Sequence, residues 1–159
     1  MRTLLCLFGL LLFTSCSEER RLLNRIEGVF ETTEFVVTDD TTGNVLFTAL
    51  PTLQFPECDT ESNGNGGRCE VTIVTTDGTS FNYRYQLTTS TQGPDYISFR
   101  PTRESITIDN DLTRALTGTL AFELRDKELR MFTNEITAGT RDTIQGSRNY
   151  QVSIVANKR

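Results

Sequence analysis

The chain predicts an all-β fold: an antiparallel up-and-down meander of about eight or nine strands that closes into a barrel behind a short N-terminal helix, with a β-sandwich as the alternative. Three observations carry this expectation. Residues 80–88 alternate without a break, with Phe81, Tyr83, Tyr85 and Leu87 on one side and Asn82, Arg84, Gln86 and Thr88 on the other. One face is therefore buried and one wet, as in an antiparallel sheet. β-Branched and aromatic runs of similar length recur along the chain with turn residues between them, and no repeat or break in composition marks a second domain. A meander has two exposed edges, and closure into a barrel removes both.

In chain order, residues 17–27 are polar with Leu22, Leu23 and Ile26 at helical spacing, which predicts a short amphipathic helix or tether. Strands follow at 28–38, at 44–55 with Val45, Phe47, Leu53 and Phe55 on one face, at 69–76 with Val71 and Ile73, and at 80–88. Further strands are expected at 95–100, 104–109, 116–125, 128–134 and 148–156, the last alternating through Tyr150, Val152 and Ile154. Turns are expected at Thr42-Gly43-Asn44, Asp77-Gly78, Gly93-Pro94-Asp95, Asp109-Asn110-Asp111 and Asp126-Lys127. Asp77-Gly78 between two alternating runs is the strongest hairpin signal. The stretch 137–147 is the longest connection, largely polar and expected to be flexible.

The N-terminus predicts export. Arg2 precedes an apolar run from Leu4 to Phe13, too short for a permanent span, and Thr14-Ser15 leads into Cys16. This order resembles the lipobox of bacterial lipoproteins, with Phe13 where Leu is commoner. The resemblance implies cleavage before Cys16 and acylation of that residue, so that residues 1–15 are a signal peptide, 16–27 a lipidated tether and short helix, and 28–159 the barrel domain. An ordinary secretory peptide with a chance cysteine is the competing reading. Ser17-Glu18-Glu19 resembles the acidic export tag of Bacteroidota surface lipoproteins, which implies an outer-membrane lipid anchor at the cell surface, the periplasmic face being the alternative. Several acyl chains at about 0.8 kcal/mol per buried methylene hold a protein on a bilayer without a spanning helix.

Of four cysteines, Cys6 leaves with the signal and Cys16 is acylated. Cys58 and Cys69 remain as an even pair in an oxidising compartment and predict one disulfide, worth about 3 kcal/mol for so short a loop. A zinc site is the rival use, but the chain has no histidine and no second cysteine pair. Loss of Arg2 shifts the net charge from −5 to about −6, which argues against nucleic acid as a partner, since that binding needs a basic patch.

The segment Leu22-Leu23-Asn24-Arg25-Ile26-Glu27-Gly28-Val29-Phe30, a helical start and then Gly-x-aromatic at the first strand, resembles the opening of lipocalin-like domains. That superfamily carries Gly-x-Trp here; Phe30 takes the place of tryptophan in a chain without any Trp. The small lipocalin-like lipoproteins of Bacteroidota are similar in length, anchor and strand count. The resemblance covers residues 22–156 in pattern, and implies a binding module for a small apolar or amphiphilic ligand rather than an enzyme. On the residues themselves, Phe81, Tyr83 and Tyr85 would point into the barrel together, either as pocket wall or as core.

Residues 59–70 match much of the calcium-loop pattern D-x-[DN]-x-[DN]-G-x5-E. Asp59, Glu61, Asn63 and Glu70 supply oxygens and Gly64 the turn, so calcium is the one cofactor the chain suggests. Glu61 is longer than the usual ligand, and strands rather than helices flank the segment. The bland alternative is an Asn/Gly-rich loop clipped at its base. Without histidine or an expected free thiol, Ser-His-acid and Cys-His catalysis are excluded. Asp39-Asp40 and Asp109 with Asp111 are nominal carboxylate pairs for glycoside chemistry, but both lie in turn-like sequence where Asp caps backbone groups. The expectation is a non-enzymatic protein: either a ligand-binding barrel, or an envelope interaction or assembly protein with a solid barrel and partner-binding loops.

Overall fold

The computed structural model of the chain describes residues 20–58, 68–105, 111–133 and 150–159. Helix α1 covers residues 20–26. It is followed by β1 (Gly28–Asp39), β2 (Val45–Thr48), β3 (Thr52–Phe55), β4 (Cys69–Val74), β5 (Ser80–Thr88) and β6 (Asp95–Pro101). Helix α2 (Asp111–Leu116), β7 (Gly118–Arg125), β8 (Glu128–Phe132) and β9 (Tyr150–Lys158) complete the order.

From β3 to β9 each strand pairs antiparallel with the next, and β9 returns to β1 along Phe30–Asp39. The opposite edge of β1 is shared, by β3 over Gly28–Glu31 and by β2 over Val36–Thr38. Eight strands thus close an antiparallel barrel, and β2 is an extra strand beside β1. Closure turns the alternation of each strand into an inside and an outside. On β5 the inward set is Phe81, Tyr83, Tyr85 and Leu87; on β4 it is Cys69, Val71 and Ile73.

On β1, Phe30 and Thr32 face inward, and then the phase changes to Phe35 and Val37. The pairing with β9 slips between Thr32 and Glu34, so a bulge at Thr33 re-aims the strand. Inward side chains and the apolar faces of both helices make one core cluster. Helix α1 buries Leu22, Leu23 and Ile26 across the end where β1 begins, while Arg25 donates to the Leu124 carbonyl at 2.6 Å. Helix α2 lies at the opposite end, where Tyr150 Oη donates to the Arg114 carbonyl at 2.9 Å. Leu112, Ala115 and Leu116 are buried there, and Gly118, at φ +109°, turns the chain from the helix into β7.

Several expectations about elements need correction. The strand expected over 44–55 is two strands, β2 and β3, parted at Ala49-Leu50-Pro51. Pro51 has no N–H to give a ladder, and its carbonyl instead accepts from Thr32 N at 3.3 Å. Val45 does not share the inward face of Leu53 and Phe55. It is 60% exposed, because the pairing with β1 slips between Val37 and Thr38. The strand expected over 104–109 is not one where it is described: Ser105 N donates to Thr102 O in a turn, and 106–110 fall outside the described residues. Asp111, expected in a turn, opens α2, and the strand expected from residue 116 begins at Gly118. The expected connection at 137–147 also lies outside the described residues.

Candidate functional site

The interior is the first place to look for a ligand site. Phe81, Tyr83 and Tyr85 do point inward together, and they are 3%, 1% and 1% exposed. A chamber able to hold a fatty acid would leave its walls accessible to water, and these walls are not. The space beside them is filled by neighbours. Tyr85 meets Phe55 edge to face at 5.2 Å between ring centroids, and Phe55 meets Phe30 in the same manner at 5.7 Å. Tyr83 Oη donates to the backbone carbonyl of Thr113 on α2 at 3.2 Å. Burial pushes the phenols of both Tyr83 and Tyr85 above the ordinary tyrosine range, with the charge of Glu27 adding to the effect at Tyr85. Thr113 is a partner that sequence reading missed, and only the placement of α2 reveals it, since the acceptor is backbone.

The disulfide between Cys58 and Cys69 is present, with 5.6 Å between the Cα atoms. Cys69 is buried at the start of β4 and Cys58 is partly buried against the core. Of the calcium-loop residues, Asp59, Glu61 and Asn63 fall outside the described residues, as does Cys16. Glu70 is described: it is exposed on β4, opposite Arg84 of β5. Among the described residues there is no group of three or more potential metal-binding side chains.

The described members of the nominal carboxylate pairs hold local structure. Asp39 Oδ1 accepts from Thr41 N at 3.0 Å, Thr42 N at 2.6 Å and the Thr42 hydroxyl at 2.9 Å. The bonds from Thr42 hold its pKa below the ordinary value. Asp40 accepts from Gln151 Nε2 at 2.8 Å across the β1–β9 seam. Asp111 begins α2, with Arg114 at 3.9 Å; Asp109 lies outside the described residues.

A feature not visible in the sequence lies at the α2 end. A cleft of about 430 Å³ separates β2 and the residues after it from the β4–β5 turn. Phe47, Leu50 and Pro51 form one wall, Thr75 and Asp77 the other, and Asp111 stands at the helix start. Leu50, in its lining, is 54% exposed, and Val45 and Leu46 on β2 are 60% and 58% exposed. A second groove, on the outer face of β8, β9 and β1, is lined by Glu34, Arg130 and Ser153 and is spanned by the Ser153–Glu34 bond at 3.2 Å. The fold and these features define a closed meander barrel with a buried aromatic row inside it and, among the described residues, a cleft of mixed polar and apolar lining flanked by Asp77 and Asp111. Comparison with family models, with curated proteins and with solved structures finds no match to this chain.

Proposed function

We propose that this chain is a lipid-anchored envelope protein of lipocalin-like build, not itself an enzyme, whose barrel is a solid scaffold and whose surface docks a protein partner. The observation that carries the reading is the burial of Phe81, Tyr83 and Tyr85 to 3% or less. It favours a filled barrel over one that holds an apolar ligand. Three exposed apolar residues close together in sequence, Val45, Leu46 and Leu50, favour an interaction surface on and just after β2. Acylation at Cys16 supplies the membrane attachment, at the outer membrane and on either its surface or its periplasmic face. Four residues of chain reach at most about 14 Å, so an acylated Cys16 keeps the start of α1 close to the bilayer and the α2 end turned away from it.

Two measurements on protein purified from the envelope test this reading. Cys16→Ala should abolish palmitate labelling and release the protein from membranes; retention would overturn the anchor. Solvent extraction followed by lipid mass spectrometry should find no stoichiometric amphiphile beyond the acyl chains bonded to the protein. A bound lipid at one per chain would overturn the solid scaffold.

A further inference from the structure

Among the described residues, the short strand β2 has one edge without a partner strand. Among the described residues it pairs with β1 alone, and β3, on the same side of β1, pairs onward with β4 only at Thr52–Gln54. Ala49 N donates to the Phe35 carbonyl at 3.2 Å, so the alternation of an antiparallel ladder directs the backbone N–H and C=O of Thr48 away from β1 and toward the cleft. An edge of this kind is a template for an added strand. Natural sheets blunt such edges with Lys or Pro; this one carries Val45-Leu46-Phe47-Thr48-Ala49-Leu50, with Pro51 only at its far end.

We propose that the β2 edge docks an extended segment of a protein partner, apolar at alternate positions and carrying a lysine or arginine, which adds as a strand in the cleft and sets its cation beside Asp77 and Asp111. This rests on the reading of the protein as a partner-binding scaffold and names where and what it binds. Charge selects the occupant. Asp77 is held by neutral donors, the Thr75 hydroxyl and Thr79 N at 3.1 Å, and Asp111 has Arg114 only at 3.9 Å. A cation therefore meets two carboxylates at the rim. A second copy of this chain, paired β2 to β2, would instead bring two acidic rims together in a protein whose net charge is −5 for the full sequence and more negative once Arg2 is lost with residues 1–15. The same carboxylates oppose anionic lipid headgroups. Alternate apolar side chains of the added strand would cover Leu46 and Leu50, and its backbone would satisfy Thr48.

The test is to pan a phage library of random linear nine-residue peptides on the purified full-length protein and to synthesise the enriched sequences. The peptides should alternate apolar residues and carry Lys or Arg. They should bind Thr48→Pro and Leu46→Lys at least tenfold more weakly, and Asp111→Asn about threefold more weakly, with the circular dichroism of each variant unchanged. Bound peptide should also slow exchange of the Thr48 amide. Peptides that bind all variants equally would overturn the assignment to β2 while leaving a partner-binding scaffold in place. No enrichment at all would overturn the strand-docking inference. A dimer in sedimentation that dissociates on Thr48→Pro would overturn it too, by giving the edge to a second copy.

Discussion

Lys158 Nζ lies over the ring of Phe30, 5.8 Å from its centroid, and donates to the carbonyl of Arg25 at 3.2 Å. One side chain of the last strand thereby ties the first strand and the end of α1 together at the barrel closure. Beside them Gly28 holds φ +125°, and a Cβ there would come within 2.7 Å of Lys158 Cε. The Gly-x-aromatic pattern at 28–30 therefore has a physical reason: the backbone needs glycine, and Phe30, fully buried, roofs the core.

Lys158→Ala should cost about 1 kcal/mol through the lost cation–ring contact and hydrogen bond. Gly28→Ala should cost about 1–3 kcal/mol through backbone strain. In a Lys158→Ala background the Gly28→Ala cost should shrink, because the contact with Lys158 Cε is gone, while the strain at φ +125° remains. Denaturant melts of the two single variants and the double variant measure the coupling.

Thr32 Oγ1 is buried at the bulge of β1 with no hydrogen-bond partner among the described residues. Thr32→Val keeps the shape and the β-branched preference of the strand while removing an unsatisfied hydroxyl. It should stabilise the protein by about 1 kcal/mol, read as a rise in the urea midpoint at unchanged m.

Cutting the Cys58–Cys69 link restores chain entropy to the unfolded state. For the 11-residue separation, Cys58→Ala should cost about 3 kcal/mol, or about 6–12 °C in Tm for a chain of this size. Cys58 is the residue to replace, because Cys69 is buried in the core and its thiol is tolerated there. An unchanged Tm would show that the loop is constrained without the bond.

The raised phenol pKa values set an alkaline limit. Tyr83 and Tyr85 hold their protons longer in the folded state than in the unfolded chain. Their stabilisation is fully present below an unfolded pKa of about 10 and is lost as pH rises toward the folded values. Stability should fall by up to about 1.4 kcal/mol per pH unit for each tyrosine above pH 10. A Tm profile from pH 9 to 12 should be shallower in Tyr83→Phe than in the parent, and parallel profiles would contradict the assignment.

The legible parts of the fold were those where one face repeats without interruption. Strand β5 reads directly from Phe81, Tyr83, Tyr85 and Leu87, and β9 from Val152 and Ile154, because burial in a closed barrel enforces period 2. Periodicity lost its meaning at the bulges. Thr33 shifts the phase of β1, and the slip between Val37 and Thr38 leaves Val45 outside although Phe47, two residues on, packs partly against the core. Helix α2 spans too few residues for a helical period to compete with the β-branched sequence around it. Its Leu112, Ala115 and Leu116, spaced three and four apart, carried the signal that was there. The cleft was invisible because it arises from pairing. The outward N–H of Thr48 depends on which strand faces which, and nothing local to Thr48 encodes that.

The filled barrel is the central claim, and a thermal shift assay with a panel of fatty acids, lysolipids and sterols tests it most directly, run on the parent and on Tyr83→Phe. With Phe81, Tyr83 and Tyr85 buried to 3% or less, no member of the panel should raise the Tm by more than about 1 °C at concentrations where a binder with Kd of 10 μM would add about 2.7 kcal/mol. A saturable rise of several degrees, altered by Tyr83→Phe, would place a ligand among these side chains and contradict the account.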